Sequence, residues 1–162
     1  MSAKYRPATV KSAAQNVPVP IKPSQADEFS EQGLKAFAVY WYNVYNYMIQ
    51  TGKVGLIGAS TKGDCQRCQI VFKDTEDWYR SGNWRMGGQL IITHLQPPKI
   101  GFAKAANGMY QYLIQYNKLA GGYITSGHKV EKAYPAVAAN GDLLNATYEN
   151  GTWLVFDIGK IG

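Results

Sequence analysis

Between Leu34 and Met48 apolar residues return every third or fourth position, at Leu34, Phe37, Ala38, Trp41, Val44, Tyr45 and Met48, laying one apolar stripe along a helix. Thr51-Gly52 ends the pattern. Upstream, Ser24 can accept from the free amides of a first turn, and Asp27 and Glu28 would sit where the helix dipole favours negative charge, so the helix is expected to begin there. A second stripe, Cys68, Val71, Phe72, Thr75, Trp78 and Tyr79, follows the short segment "VGLIGAS", with Asp64 as its expected cap and Gly82 past its end. From Trp84 the period drops to two. Leu90 and Ile92 alternate with Gln89, Ile91 and Thr93, and Tyr110, Tyr112, Ile114 and Tyr116 alternate with Gln111, Gln115 and Asn117, the signature of half-buried strands.

Asn107-Gly108, Asn140-Gly141 and Asn150-Gly151 are dipeptides suited to positive φ and are expected turns, the last joining two strands in a hairpin. Gly87 and Gly88 are expected to form a bulge that bends a strand. Helices first and strands afterwards predict an α+β fold: a long N-terminal helix and shorter helices packed on a curved antiparallel sheet of four to six strands. Residues 1–26 stand apart. Pro18, Pro20 and Pro23 impose extended backbone and remove donors, so this stretch is expected to be an arm or linker, leaving 27–162 as the domain.

Composition adds two constraints. Twelve Tyr and four Trp promise a rigid aromatic interior whose polar tips need partners. The net charge of +6 admits anionic partners, but the cations are scattered, with Lys4, Arg6, Lys11 and Lys22 in the arm and Lys99, Lys104, Lys129 and Lys132 later. A solvated basic surface is expected, with no specific nucleic-acid site. No apolar run approaches the roughly 20 residues that span a bilayer, and the N-terminus lacks the apolar core of a signal peptide.

"AQNVPVPIKP" (14–23), "EQGLKAFAVYWYNVYNYMIQTGK" (31–53), "GDCQRCQ" (63–69), "SGNWRMGGQL" (81–90) and "NGMYQYLIQ" (107–115) together resemble an actinobacterial family of uncharacterised secreted lipoproteins. The resemblance runs from the arm to the "TWLVF" strand. It implies an NTF2-like (cystatin-like cone) domain, reached through a signal peptide, a lipidated cysteine and a polar tether. This chain carries neither the signal nor the lipidated cysteine, so membrane attachment through such an anchor lies outside it.

The only cysteines are Cys65 and Cys68. Zinc wants four ligands, and His94 and His128 are neither near the pair nor spaced as a ligand couple, so no metal and no cofactor is expected. A redox pair at a helix start is chemically apt, but the strand that precedes thioredoxin-type motifs is missing here. A structural disulfide is the preferred reading, and it implies an oxidising, extracytoplasmic setting in agreement with the resembled family.

A cone of this kind can hold a pocket between helix and sheet. Trp41, Tyr45, Tyr112, Tyr116 and His94 are the candidate lining residues, and His94, His128, Asp157, Tyr40, Tyr45, Tyr112 and Tyr116 are the candidates for proton transfer. The plainer expectation is that the rings are core and both histidines exposed. The sequon "NAT" at 145–147 lies within an expected strand. The functional expectation is a non-catalytic cell-envelope domain binding a small apolar ligand or a protein, with a homo-oligomer open. Two alternatives stand beside it. One is a structural or phage-particle component that assembles through its arm, the other an isomerase or dehydratase acting in the cone, which fold likeness alone does not license.

Overall fold

A computed structural model describes residues 3–161. A 3₁₀ turn at Ser24–Asp27 leads to α1 (Glu31–Thr51), α2 (Gly55–Ala59) and α3 (Gln66–Arg80). Seven strands follow: β1 (Trp84–Gly87), β2 (Leu90–Gln96), β3 (Tyr110–Lys118), β4 (Gly121–Ile124), β5 (Val130–Tyr134), β6 (Val137–Glu149) and β7 (Thr152–Lys160). The fold is α+β, with three helices on antiparallel strands, as the change of period predicts. The strands divide into two sheets, a four-stranded one ordered β2-β3-β6-β7 and a three-stranded one ordered β1-β4-β5.

Helix α1 packs against β1 of the small sheet and against β2 and β3 of the large one. That double contact explains its burial. Besides the expected stripe, Tyr40, Tyr42, Tyr47 and Ile49 are also buried, because a helix flanked by two sheets has little free face. In β3 the expected alternation is realised: Tyr112, Ile114 and Tyr116 are buried, while Gln115 and Asn117 are exposed.

The helix starts differ from expectation for tertiary reasons. Glu28 is extended (φ −76°, ψ 137°), and α1 begins after Ser30, whose side chain accepts from the Gly33 amide at 2.9 Å. The carbonyls of Asp27 and Glu28 are instead taken by the sheet, through Tyr148 Oη (2.6 Å) and Trp153 Nε1 (2.8 Å). The Asp27 carboxylate meets Lys22 at 2.6 Å, which holds its pKa low. Gly33 is obligatory at this fold-back, since a Cβ would lie 2.0 Å from the Glu28 carbonyl oxygen. In α3 the cap is Cys65, one residue past Asp64, and its Sγ accepts from the Cys68 amide at 3.3 Å.

Two turn expectations are corrected. Asn140-Gly141 lies inside β6, where Asn140 pairs with Tyr116 and Gly141 with Gln115, so ladder pairing outweighs the local turn preference. Gly87-Gly88 is no bulge within one strand; with φ of 65° and 82° it carries the chain from the small sheet to the large one. Asn150-Gly151 does close the β6–β7 hairpin, with φ of 52° and 78°. This hairpin carries a bulge after Val155: Ala146 faces Val155, but Asn145 faces Asp157. The extra residue is Phe156. Trp153 and Val155 point into the core, and beyond the bulge Ile158 and Lys160 take the same side of the sheet, Ile158 against the core and Lys160 at the cavity edge with its side chain largely exposed.

Residues 3–23 run along the body of the protein. Arg6 and Gln15 exchange backbone hydrogen bonds, Trp84 Nε1 donates to the Thr9 carbonyl at 2.8 Å, and Tyr5 reaches Gln50 on α1.

Candidate functional site

A cavity of about 250 Å³ opens where α1, the start of α3 and one face of the large sheet converge. Helix α1 supplies Trp41, Tyr42 and Tyr45; helix α3 supplies the Cys65–Cys68 clip, Arg67, Val71 and Phe72. The sheet closes it with Leu90, Tyr116, Asp142, Ile158 and Lys160. Each wall is fixed locally. Trp41 and Tyr45 are one helical turn apart and stack at 6.1 Å, and Trp41 Nε1 donates to Thr61 Oγ1 at 2.9 Å, which in turn donates to the Ile57 carbonyl at 2.7 Å.

Cys65 and Cys68 are joined in a disulfide, with 5.2 Å between their Cα atoms, and both are buried. Such a bond persists in oxidising surroundings. Its loop is the shortest a helix start allows, so the chain-entropy relation gives it at most about 2 kcal/mol. Replacing both cysteines with alanine is therefore expected to cost about that plus the packing of two buried sulfurs in denaturant unfolding, while amide exchange in the first turn of α3 accelerates. A loss near 5 kcal/mol would mean that the clip holds the whole fold.

The polar end of the cavity is one connected cluster. Asp142, 4% exposed, accepts from Tyr42 Oη on Oδ2 at 2.5 Å; its Oδ1 accepts from Lys160 Nζ at 2.8 Å and from Tyr116 Oη at 3.3 Å. Lys160 Nζ also donates to Tyr116 Oη at 2.6 Å. Lys160 stands directly opposite Asp142 across β6 and β7, so the pair is a cross-strand contact on one face. Three donors converge on the carboxylate. A general base must be free to take a proton from substrate, and three of the roughly four acceptor sites of this carboxylate are already engaged.

Burial lifts the Tyr42 phenol far above its ordinary value, and the Asp142 charge adds to it. Tyr116 is raised by burial, with Lys160 pulling it partly back. For Lys160 burial works downward, but the hydrogen bonds to Asp142 and Tyr116 win and raise it. Tyr79, half-buried and donating to the Ile49 carbonyl of α1, is pushed up to about 12, chiefly by desolvation. Each group holds its proton more tightly folded than unfolded, so its contribution is intact below pH 10 and is lost as pH climbs through the folded values. Denaturant midpoints should thus fall steeply above pH 10, less steeply in Tyr42→Phe, with the phenolate absorbance of the buried tyrosines appearing only as the chain unfolds. Phenolate absorbance of Tyr42 itself in the still-folded chain near pH 10, read as the difference between the parent and Tyr42→Phe, would contradict this.

Of the residues expected to line a pocket, Trp41, Tyr45 and Tyr116 do so together. Tyr112 is buried in the core outside this cavity, and His94 is exposed on the outer face of β2, bonded to Gln96 at 3.0 Å. His128 is exposed on the β4–β5 turn, against the edge of Trp84 and the Val10 carbonyl. Asp157 lies in β7 opposite Asn145, and Tyr40 is buried elsewhere on α1. The proton-transfer candidates are thus dispersed. Sequence reasoning missed Tyr42, Asp142, Lys160 and Arg67. Asp142 was hidden beside a misread turn, and Lys160 would face outward without the bulge. Among the described residues, no group of three or more His, Cys, Asp or Glu could hold a metal ion.

A second cluster stands on the far side of Tyr45. Arg85, 5% exposed, donates to Tyr134 Oη at 2.7 Å and lies 4.8 Å over the Tyr123 ring. No carboxylate among the described residues pairs with it, and its Nε lacks a partner.

Fold and site together define an α+β domain with an aromatic cavity closed at its inner end by a satisfied ion cluster. Residues 3–158 match the model of a family of unknown function, DUF6318, and the chain belongs to that family. No curated protein and no solved structure matches it. Among the described residues no helix is long and apolar enough to cross a membrane.

Proposed function

We propose that the protein is a non-catalytic binding domain of the extracytoplasmic cell envelope that takes a small, mainly apolar ligand into this cavity. The observation that carries the reading is the cavity wall: Trp41, Tyr45, Phe72, Leu90 and Ile158 offer rings and aliphatic surface, while its one carboxylate is engaged by three donors. That engagement speaks against an isomerase or dehydratase. The arm's hydrogen bonds to its own body speak against assembly through the arm. The disulfide supports an oxidising compartment. A long helix across a bulged antiparallel sheet supports an NTF2-like cone and, with the sequence resemblance, a secreted actinobacterial lipoprotein.

Trp41 reports the test. Titration with 1-octanol should give a saturable change in tryptophan emission, and Phe72→Trp, which fills the cavity, should weaken it about tenfold or more. The reading fails if octanol produces no saturable change in the folded protein.

A further inference from the structure

We infer that the cavity's ligand is an amphiphile with an apolar body and an anionic head, the head seated at the mouth between Lys160 and Arg67. The inference rests on the binding reading above and adds the chemistry of the ligand. The charged side chains that line the cavity are Asp142, Lys160 and Arg67, and they are not equivalent. Asp142 is at the buried end and already accepts from three donors. Both cations reach the solvent side: the Lys160 side chain is 60% exposed, and Arg67 is exposed.

Their donors are only partly used. Lys160 Nζ gives hydrogen bonds to Asp142 and Tyr116, and an ammonium has a third to offer. Arg67 donates to the Ile158 carbonyl, and a guanidinium has five N–H groups in a fork suited to an oxyanion. Ile158 and Lys160 share the inward face of β7, so both cations address the same edge of the cavity.

The field behind the wall has the same sign. Arg85, whose charge holds back the burial-driven rise of the Tyr45 phenol, donates to Tyr134 and has no carboxylate partner among the described residues, and Lys118 lies 4.4 Å over the Tyr134 ring. Arg85 and Lys118 thus meet at one ring, and burial, followed by the charges of Arg85, Lys160 and Lys132, lowers the Lys118 pKa. A neutral head leaves the donors to water, and an ammonium head is repelled. An oxyanion satisfies them.

Octanoate, 1-octanol and octylammonium share one apolar body, so titrating all three against Trp41 emission separates head from tail. Octanoate should bind about tenfold tighter than octanol, consistent with one or two charge-assisted hydrogen bonds, and octylammonium should bind more weakly than octanol. Arg67→Gln alters an exposed side chain away from the Asp142 cluster. It should erase the preference, so that the ratio of octanoate to octanol affinity in the variant falls to about one, and added salt should lower the same ratio in the parent protein. Lys160→Arg should retain the preference that Lys160→Gln loses. Equal binding of all three probes, or an octanoate preference indifferent to Arg67→Gln and to salt, overturns the anionic head while the binding reading stands. If none of the three binds, the binding reading itself falls.

Discussion

Trp153→Ala should lower the free energy of unfolding by about 4 kcal/mol, which for a chain of this size moves the thermal midpoint down by about 8–16 °C. Trp153 is fully buried and joins the rings of Tyr148 (5.0 Å), Tyr110 (5.4 Å) and Phe29 (5.8 Å) in mostly edge-on or tilted contacts. Removing it opens a void in this cluster, and it also leaves the Glu28 carbonyl without its indole donor. That carbonyl belongs to the fold-back that sets where α1 begins, so the damage reaches the helix carrying Trp41, Tyr42 and Tyr45. Trp153→Phe keeps part of the packing but loses the donor and some ring volume, and about half the loss is expected. Thermal unfolding followed by circular dichroism checks both. A drop below about 1 kcal/mol for the alanine variant would show that the ring cluster is not the anchor described.

Asp142→Ala should cost about 3 kcal/mol, somewhat less than Trp153→Ala. The largest part comes from Tyr42, whose buried hydroxyl loses its acceptor, an orphaning that costs about 1–3 kcal/mol. Tyr116 loses one acceptor and keeps the neighbourhood of Lys160. The full penalty of breaking a buried ion pair does not apply, because the largely exposed Lys160 can turn into water. Asp142→Asn retains an acceptor and should cost less. The double variant Tyr42→Phe/Asp142→Ala should be more stable than the sum of its single variants, since the orphaned hydroxyl is gone. Strict additivity in that cycle would mean that the 2.5 Å contact contributes nothing.

The stripe from Leu34 to Met48 and the alternation from Tyr110 to Tyr116 were legible because each element buries a face at its own period, and side-chain spacing reports burial directly. The Cys65–Cys68 pair was legible because spacing and helix position confine its chemistry. Tyr42 was not legible, since the stripe alone implies one buried face and α1 has sheet on two sides. Lys160 was hidden for a different reason. Strict alternation from Trp153 and Val155 points Asp157 and Gly159 inward, and only the extra residue after Val155 reverses this. The cap at Ser30 was displaced from Ser24 by side chains of β6 and β7 that lie over 100 residues away.

The bulge at Phe156 makes the length tolerance of the last hairpin lopsided. Excision of Phe156 straightens β7 and still sets Lys160 across from Asp142, because the spare position is what disappears. One residue gained on that stretch has no slack to consume: it puts Gly159 opposite the carboxylate and swings the lysine to the outer surface.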